Sequence, residues 1–152
     1  MPPRLTVPDV GIKTEKGFAP GRKIQMRYDW LDEYLLSLPG VEKDYKMEWQ
    51  WFRYKIRDKL FAAVCSPEEK YRLYGGHSLV NLKCDPREAE LLQARYPEVL
   101  PGFYTDKRTW ISIRLDGGVE RERILRLCDA SYDLVLAGLT KRARLEILRG
   151  GT

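Results

Sequence analysis

The pattern of apolar and polar positions changes near residue 28. Before that point the chain carries four of its nine prolines, three glycines and scattered charges without sustained periodicity, which is typical of an extended or disordered leader. From Tyr28 to about Arg142, apolar residues recur at regular spacing. We therefore predict a flexible basic leader over 1–27, one domain over 28–142 and a basic C-terminal tail over 143–152.

The first periodic segment predicts a helix from about Asp29 to Ser37. Asp29 is placed as its N-cap, and Pro39 followed by Gly40 ends it. The apolar residues recur as on one face of a helix: Trp30, Leu31, Tyr34, Leu35 and Leu38.

Three strands are predicted next, from β-branched and aromatic runs. Trp49–Ile56 and Leu60–Ser66 form a hairpin around the turn Arg57-Asp58-Lys59, and Ser78–Cys84 is the third strand. A fourth strand, Trp110–Asp116, follows later in the chain and points Ile111, Ile113 and Leu115 inward.

Two more helices complete the pattern. Asp85 followed by Pro86 is an N-cap with proline at the first helical position, and this helix runs to about Tyr96 with Ala89, Leu92 and Tyr96 on one face. The last helix covers about Glu120–Ala137 and stops at Gly138. Its buried stripe is predicted to contain Ile124, Leu127, Cys128, Ser131, Leu134 and Val135.

The predicted order is therefore α-β-β-β-α-β-α. Strands joined by short turns pair antiparallel, and helices gathered near the two ends pack on one face of the sheet. We expect an α+β two-layer sandwich.

Charge and composition then limit the classes of protein. The net charge is +5, but the first 27 residues contribute +4 and residues 141–152 contribute +3, which leaves −2 for the body between them. No apolar run approaches the roughly 20 residues of a membrane span, and no secretory signal is recognised. The three cysteines form no CxxC pair and lie in apolar stretches, which favours buried thiols in a reducing cytoplasm.

Enzyme signatures are lacking from the sequence. The single histidine, His77, has no further metal ligands at short spacing, and no nucleophile elbow or phosphate-binding glycine motif is found. Carboxylate pairs such as Glu68-Glu69 lie in polar stretches where their pKa would not be tuned for acid–base catalysis. We predict a non-catalytic protein without cofactor or metal.

Binding chemistry is suggested by the hairpin. Alternation puts Trp49 and Trp51 on one face with three cations, and a fourth follows the turn: Arg53, Lys55, Arg57 and Lys59. Cations flanked by tryptophans are typical of a surface that follows phosphates and stacks bases. The alternative is an ordinary solvated face whose charges discourage aggregation.

A second candidate is the loop from Pro101 to Trp110, where Tyr104, Lys107, Arg108 and Trp110 mix aromatic and cationic side chains. The alternative is that Phe103 and Trp110 tuck under the sheet. Lys83 is a third candidate because it precedes a helix N-terminus, where free N–H groups hold anions; an Asp85 cap beside a surface lysine is the alternative.

Five segments together resemble the MmcQ/YjbR family, in the family's order. They are LSLPGVEKDY (36–45), DKLFAAV (58–64), LVNLKCDP (79–86), YPEVLPGFYTDKRTW (96–110) and SYDLVLAGLTKR (131–142). The resemblance implies a small bacterial α+β domain with a curved antiparallel sheet, helices on one side and hairpins that act as paired wings in a proposed DNA-binding role. It implies no catalytic activity or cofactor, and it points to Lys83, Tyr104, Lys107, Arg108 and Trp110.

The leading hypothesis is thus DNA binding, in which the hairpin cations contact phosphates and the loop adds a second contact. Two alternatives stay open. One is a protein-interaction or assembly module anchored by Trp49 and Trp51, and the other is binding of a small anionic ligand near Lys83, Lys107 and Arg108.

Overall fold

The computed structural model describes residues 28–150, which form four helices and six strands. The helices are α1 (Asp29–Ser37), α2 (Pro86–Arg95), α3 (Arg121–Ala137) and α4 (Lys141–Leu148). The strands are β1 (Val41–Lys46), β2 (Trp51–Ile56), β3 (Lys59–Cys65), β4 (Leu79–Lys83), β5 (Val99–Pro101) and β6 (Trp110–Arg114). The predicted leader lies outside the described residues.

All strands pair antiparallel in one sheet of order β1-β2-β3-β4-β6-β5. The predicted hairpin is confirmed as β2 and β3, joined by Arg57 and Asp58 alone. Both residues have positive φ, +47° and +67°, as the two-residue turns that match strand twist require.

The two faces of the sheet differ in what covers them. All four helices pack on one side, here called the helix face, and bury Leu31, Leu92, Ile124 and Ile147 against the alternate strand residues that point toward them. The opposite side, here called the open face, is covered by none of the four described helices. The predicted α+β sandwich with helices on one face is confirmed.

Capping follows the prediction at one helix and departs from it at another. The Asp85 carboxylate accepts hydrogen bonds from the N–H groups of Arg87 (3.1 Å) and Glu88 (3.3 Å), so α2 begins as predicted. Asp29 is not an N-cap, because the helix already includes it and Tyr28 occupies the cap position. The stripe of α3 is buried as predicted except at Leu134, which is 40% exposed, while Tyr132 is buried instead.

Three elements were absent from the predicted order: β1, β5 and α4. The strand β1 forms the edge beside β2, and β5 forms the other edge with three residues. The helix α4 packs back on the domain, and its Ile147 is fully buried. The boundary predicted at Arg142 therefore cuts through α4.

An irregularity in β3 changes which face its first residues occupy. Between Tyr54 and Lys55 the partner advances by two residues, from Ala62 to Leu60, so Phe61 is the extra residue of a β-bulge. The Phe61 side chain enters the core on the helix face, which breaks the simple alternation expected of this strand.

Candidate functional site

The open face concentrates positive charge that the domain as a whole lacks. The strand register puts five cations on this side against two carboxylates. The cations are Lys46, Arg53, Lys55, Lys83 and Arg114, and the carboxylates are Glu42 and Asp44. Lys46 and Arg114 were missed by sequence reasoning, because each stands alone in its segment and only the register brings it to this face.

The two central hairpin cations are both paired with the single carboxylate of Asp44 in β1. Arg53 donates two hydrogen bonds of 2.8 Å to the Asp44 carboxylate, and the Lys55 Nζ lies 3.0 Å from the same group. Such a bidentate pair is among the stronger ionic contacts in proteins. The hairpin therefore does not present a row of unpaired cations, in contrast to the prediction.

This arrangement predicts a low titration midpoint for Asp44. The hydrogen bonds from Arg53, opposed by burial and assisted by Lys55, lower the pKa of Asp44 from 3.8 to about 2. Because the folded pKa lies below the unfolded value, the pair contributes stability above about pH 4 and loses it as the pH falls toward 2. The contribution is modest, since the Asp44 side chain is 40% exposed and solvent screens the pair. NMR titration of the carboxyl carbon checks the midpoint; Arg53→Gln should raise it toward 3.8, and an unchanged midpoint would contradict the assignment.

The remaining hairpin cations point elsewhere. Arg57 donates a 3.1 Å hydrogen bond to the Glu146 carboxylate of α4, and with Arg142 it lowers the pKa of that group. Lys59 pairs with Ile56, whose side chain is in the core on the helix face. Since directly opposite residues share a face, Lys59 lies on the helix face, whereas Arg53 and Lys55 lie on the open face.

Aromatic side chains bury one end of the open face. Phe103 packs on Trp51, with ring centroids 6.5 Å apart, and on Tyr74, at 4.8 Å. Trp51 is only 2% exposed and Phe103 only 3%. Trp51 is therefore too buried to be the exposed anchor of the assembly alternative. Of the two rings that the alternative interpretation of the loop expected under the sheet, Phe103 is buried and Trp110 is half-buried. This aromatic cluster contains Trp49, Trp51, Tyr71, Tyr74 and Phe103.

Two predicted site residues meet where β4 and β6 run side by side, and a third lies nearby in the chain. Lys83 and Trp110 are direct partners in the register, and the Lys83 Nζ lies 5.7 Å from the centroid of the Trp110 ring. The Cys84 N–H donates to the Thr109 carbonyl at 2.8 Å, and the exposed Arg108 precedes Thr109 in the chain. Trp110 is half-buried.

The other two loop residues lie over the aromatic cluster. The Lys107 Nζ donates a 2.6 Å hydrogen bond to the Gly102 carbonyl and lies 5.8 Å from the Tyr74 ring centroid. Tyr104 is 44% exposed and contacts Phe103 and Tyr71 with nearly perpendicular rings. We call Lys83, Tyr104, Lys107, Arg108 and Trp110 together the loop patch.

The cations of the loop patch differ from those of the hairpin in their partners. Within residues 28–150, no carboxylate lies within ion-pair distance of Lys83, Lys107 or Arg108. The helix N-terminus beside Lys83 is filled by its own Asp85 cap. An anion near Lys83 would therefore depend on side-chain cations and not on that helix.

Groups that could bind a metal ion or act in catalysis are few in the part of the chain that the structure describes. Residues 28–150 contain no group of three or more His, Cys, Asp or Glu that could hold a metal ion. None of the described helices is both long and apolar enough to cross a bilayer. His77 lies 3.1 Å from both carboxylate oxygens of Asp116, so the loop histidine is tied to a neighbouring loop.

Comparison with known proteins covers most of the described residues. A family model described as YjbR matches residues 36–134. The Escherichia coli K12 protein named uncharacterized protein YjbR is 31% identical over 112 residues, which are 74% of this chain and 89% of that protein. Uncharacterized protein YbdF of Escherichia coli O157:H7 is 31% identical over 115 residues, or 76% of this chain and 88% of that one.

Solved structures agree with the architecture. The crystal structure of Deinococcus radiodurans protein DR2400, described as a DUF419 domain, superposes with a TM-score of 0.67 at 25% identity, over 82% of this chain and 89% of that one. A Pseudomonas syringae protein superposes with a TM-score of 0.61 at 21% identity, over 72% of this chain and 98% of that one. The second likeness supports the fold alone.

Proposed function

The chain belongs to the YjbR family, and from that premise we propose that it is a non-catalytic protein that binds nucleic acid through its loop patch. One observation carries the proposal. Lys83, Lys107 and Arg108 have no carboxylate partner among the described residues, while Arg53, Lys55 and Arg57 are each paired with one. Unpaired cations gain most from a phosphate, because binding replaces no existing ion pair.

The surroundings of the loop patch support the same partner. Lys83 lies over the Trp110 ring, Arg108 is two residues before Trp110 in the chain, and the open face adds a cationic surface beside them. Phosphates draw on charge anywhere along this surface, while the exposed rings offer contacts to bases or sugars. This combination favours a polyanion with aromatic groups over a compact anion, which would engage the cations alone.

The proposal that the protein is non-catalytic rests on the burial of its cysteines and on the contacts of its histidine. Cys65, Cys84 and Cys128 are all buried, and burial raises the pKa of Cys65 to about 12 and of Cys84 to about 11. A thiol that is protonated at neutral pH and inaccessible is a poor nucleophile. His77 contacts Asp116 through Nδ1, but the three buried cysteines offer it no accessible thiol to activate.

A salt-dependent titration tests the proposal on the full-length protein. Labelled DNA is titrated at salt concentrations from about 50 to about 200 mM, and each lost phosphate contact should reduce the slope of log K against log salt by about 0.7 for single strands or about 0.9 for duplex. We expect the double variant Lys83→Ala/Arg108→Ala to lose about 1.4 to 1.8 of that slope.

The control removes the same charge elsewhere. Lys59→Ala/Arg126→Ala deletes one exposed cation of the hairpin and one on the outer side of α3, and it leaves residues 1–27 unchanged. Its slope should equal that of the wild-type protein. The proposal fails if DNA does not bind at about 50 mM salt, or if both double variants lose the same slope. Displacement of DNA by inorganic phosphate, at an ionic strength where sodium chloride has no effect, would indicate the small-anion alternative.

A further inference from the structure

The β2–β3 hairpin is built into the sheet and does not project from it. Along its whole length β2 is paired with β1, from Val41 opposite Ile56 to Lys46 opposite Trp51. The strand β3 is paired with β4 from Ala62 onward. At the tip, Arg57 is bonded to Glu146 of α4 at 3.1 Å. The hairpin is thus held on both sides and at its end.

That arrangement is unsuited to entering a DNA groove. The major groove is about 12 Å wide and admits one helix or a two-stranded ribbon. Six strands about 4.8 Å apart span about 24 Å from edge to edge. The flanking strands would meet the phosphate backbones before the cations of Arg53 or Lys55 reached a base, and these cations are already paired with Asp44.

The loop patch instead presents aromatic side chains at the surface. Tyr104 is held with a φ of +53°, a backbone conformation that a tyrosine rarely adopts, and its side chain is nevertheless 44% exposed. Rings of Phe103 and Tyr71 support it from below at centroid distances of 4.8 and 6.1 Å. The packing therefore maintains an exposed ring that apolar burial alone would not favour.

Cations lie over two half-buried rings of this region. Lys83 lies over Trp110, and the Lys107 ammonium lies over Tyr74 in the cluster that supports Tyr104. Stacking on a ring requires the flat face of a base, which an unpaired strand offers and an intact duplex hides between its neighbours. Rings beside phosphate-seeking cations match the chemistry of single-stranded nucleic acid.

We infer that the loop patch selects single-stranded over double-stranded nucleic acid, with Tyr104 and Trp110 stacking on bases and Lys83, Lys107 and Arg108 contacting phosphates. This rests on the proposed function. The open face supplies the surface along which the strand lies, and the hairpin serves as part of that surface.

Competition binding with full-length protein tests the selectivity. A labelled oligothymidine of about 12 nucleotides and a duplex of equal length are compared by fluorescence anisotropy at about 100 mM salt, and the single strand should bind about tenfold more tightly or better. Tyr104→Ala should weaken single-strand binding about fivefold or more and leave duplex binding unchanged, since one stacked base is lost. Tyr104→Phe keeps the ring and should restore the affinity. Leu91→Ala, an exposed side chain on α2, is the matched control.

The outcomes separate the two proposals. Duplex binding as tight as single-strand binding, with Lys83 and Arg108 still required, would overturn the selectivity and leave the proposed function intact. Tyr104→Ala with wild-type affinity for the single strand, in a protein whose melting temperature is unchanged, would also overturn it. Binding of neither nucleic acid would overturn both.

Discussion

Replacement of Ile147 by alanine is expected to lower the free energy of unfolding by about 2–5 kcal/mol. Ile147 is fully buried, and it packs where α4 meets the turn between α1 and β1. A Cβ added to Gly40 would lie 3.0 Å from Cγ2 of Ile147 and 3.3 Å from Cγ2 of Ile56, so the three residues fill one region of the core. Alanine would leave a cavity that this packing closes only partly.

Urea denaturation followed by tryptophan fluorescence measures the change. Leu148→Ala is the matched control, because the neighbouring side chain is 58% exposed and should cost less than about 0.5 kcal/mol. A chain ended after Arg142 loses Ile147 together with the Arg57–Glu146 ion pair and should be destabilised further. Equal stability of the two alanine variants would show that α4 contributes nothing to the core.

The helix α4 shows where the pattern of apolar residues in the sequence no longer predicts an element. A segment is recognised as helical when several apolar residues recur on one face, but α4 buries Ile147 alone and surrounds it with charges. The edge strand β1 has the same difficulty, since only Val41 and Tyr45 interrupt its polar residues, as is common at exposed edges. The strand β5 has three residues, one of them proline. Each of these three elements is stabilised mainly by tertiary contacts with its neighbours and not by its own sequence pattern.

Elements with a strong pattern of their own were predicted well. The helices α2 and α3 and the strands β4 and β6 have the spacing of buried faces, and the structure places them within a few residues of the expected bounds. Local capping was predictable where a side chain could reach the N–H groups, as at Asp85. It failed at Asp29, because a helix that starts one residue earlier leaves that side chain within its first turn.

The candidate site shows a different limit. The cations were identified from sequence, but their partners depend on long-range pairing. Asp44 pairs with Arg53 and Lys55 only because the unpredicted β1 lies next to β2, and Lys59 changes sides because of the bulge at Phe61. The shift of the proposed contact from the hairpin to the loop patch follows from these two facts, neither of which leaves a signal in the local sequence.

Ser131→Ala is expected to destabilise the domain by about 2–4 kcal/mol, although it removes a single oxygen atom. The Ser131 hydroxyl donates to the Phe61 carbonyl at 2.6 Å and accepts from the Lys83 N–H at 2.9 Å. The residue is fully buried on α3. The regular ladder of β3 and β4 begins at Ala62 opposite Leu82, so at the bulge this hydroxyl takes the place of a direct strand-to-strand hydrogen bond.

Alanine would leave a buried donor and a buried acceptor unpaired, each at a cost of about 1–3 kcal/mol. Ser37→Ala is the control, because that exposed hydroxyl donates to the Tyr34 carbonyl and water replaces it. Hydrogen exchange gives a second, local measurement: the Lys83 amide should exchange faster in Ser131→Ala than the global loss of stability requires. Unchanged protection of that amide would contradict the bridge. Since Lys83 also belongs to the loop patch, the same hydroxyl links the α3 packing to the position of a proposed phosphate contact.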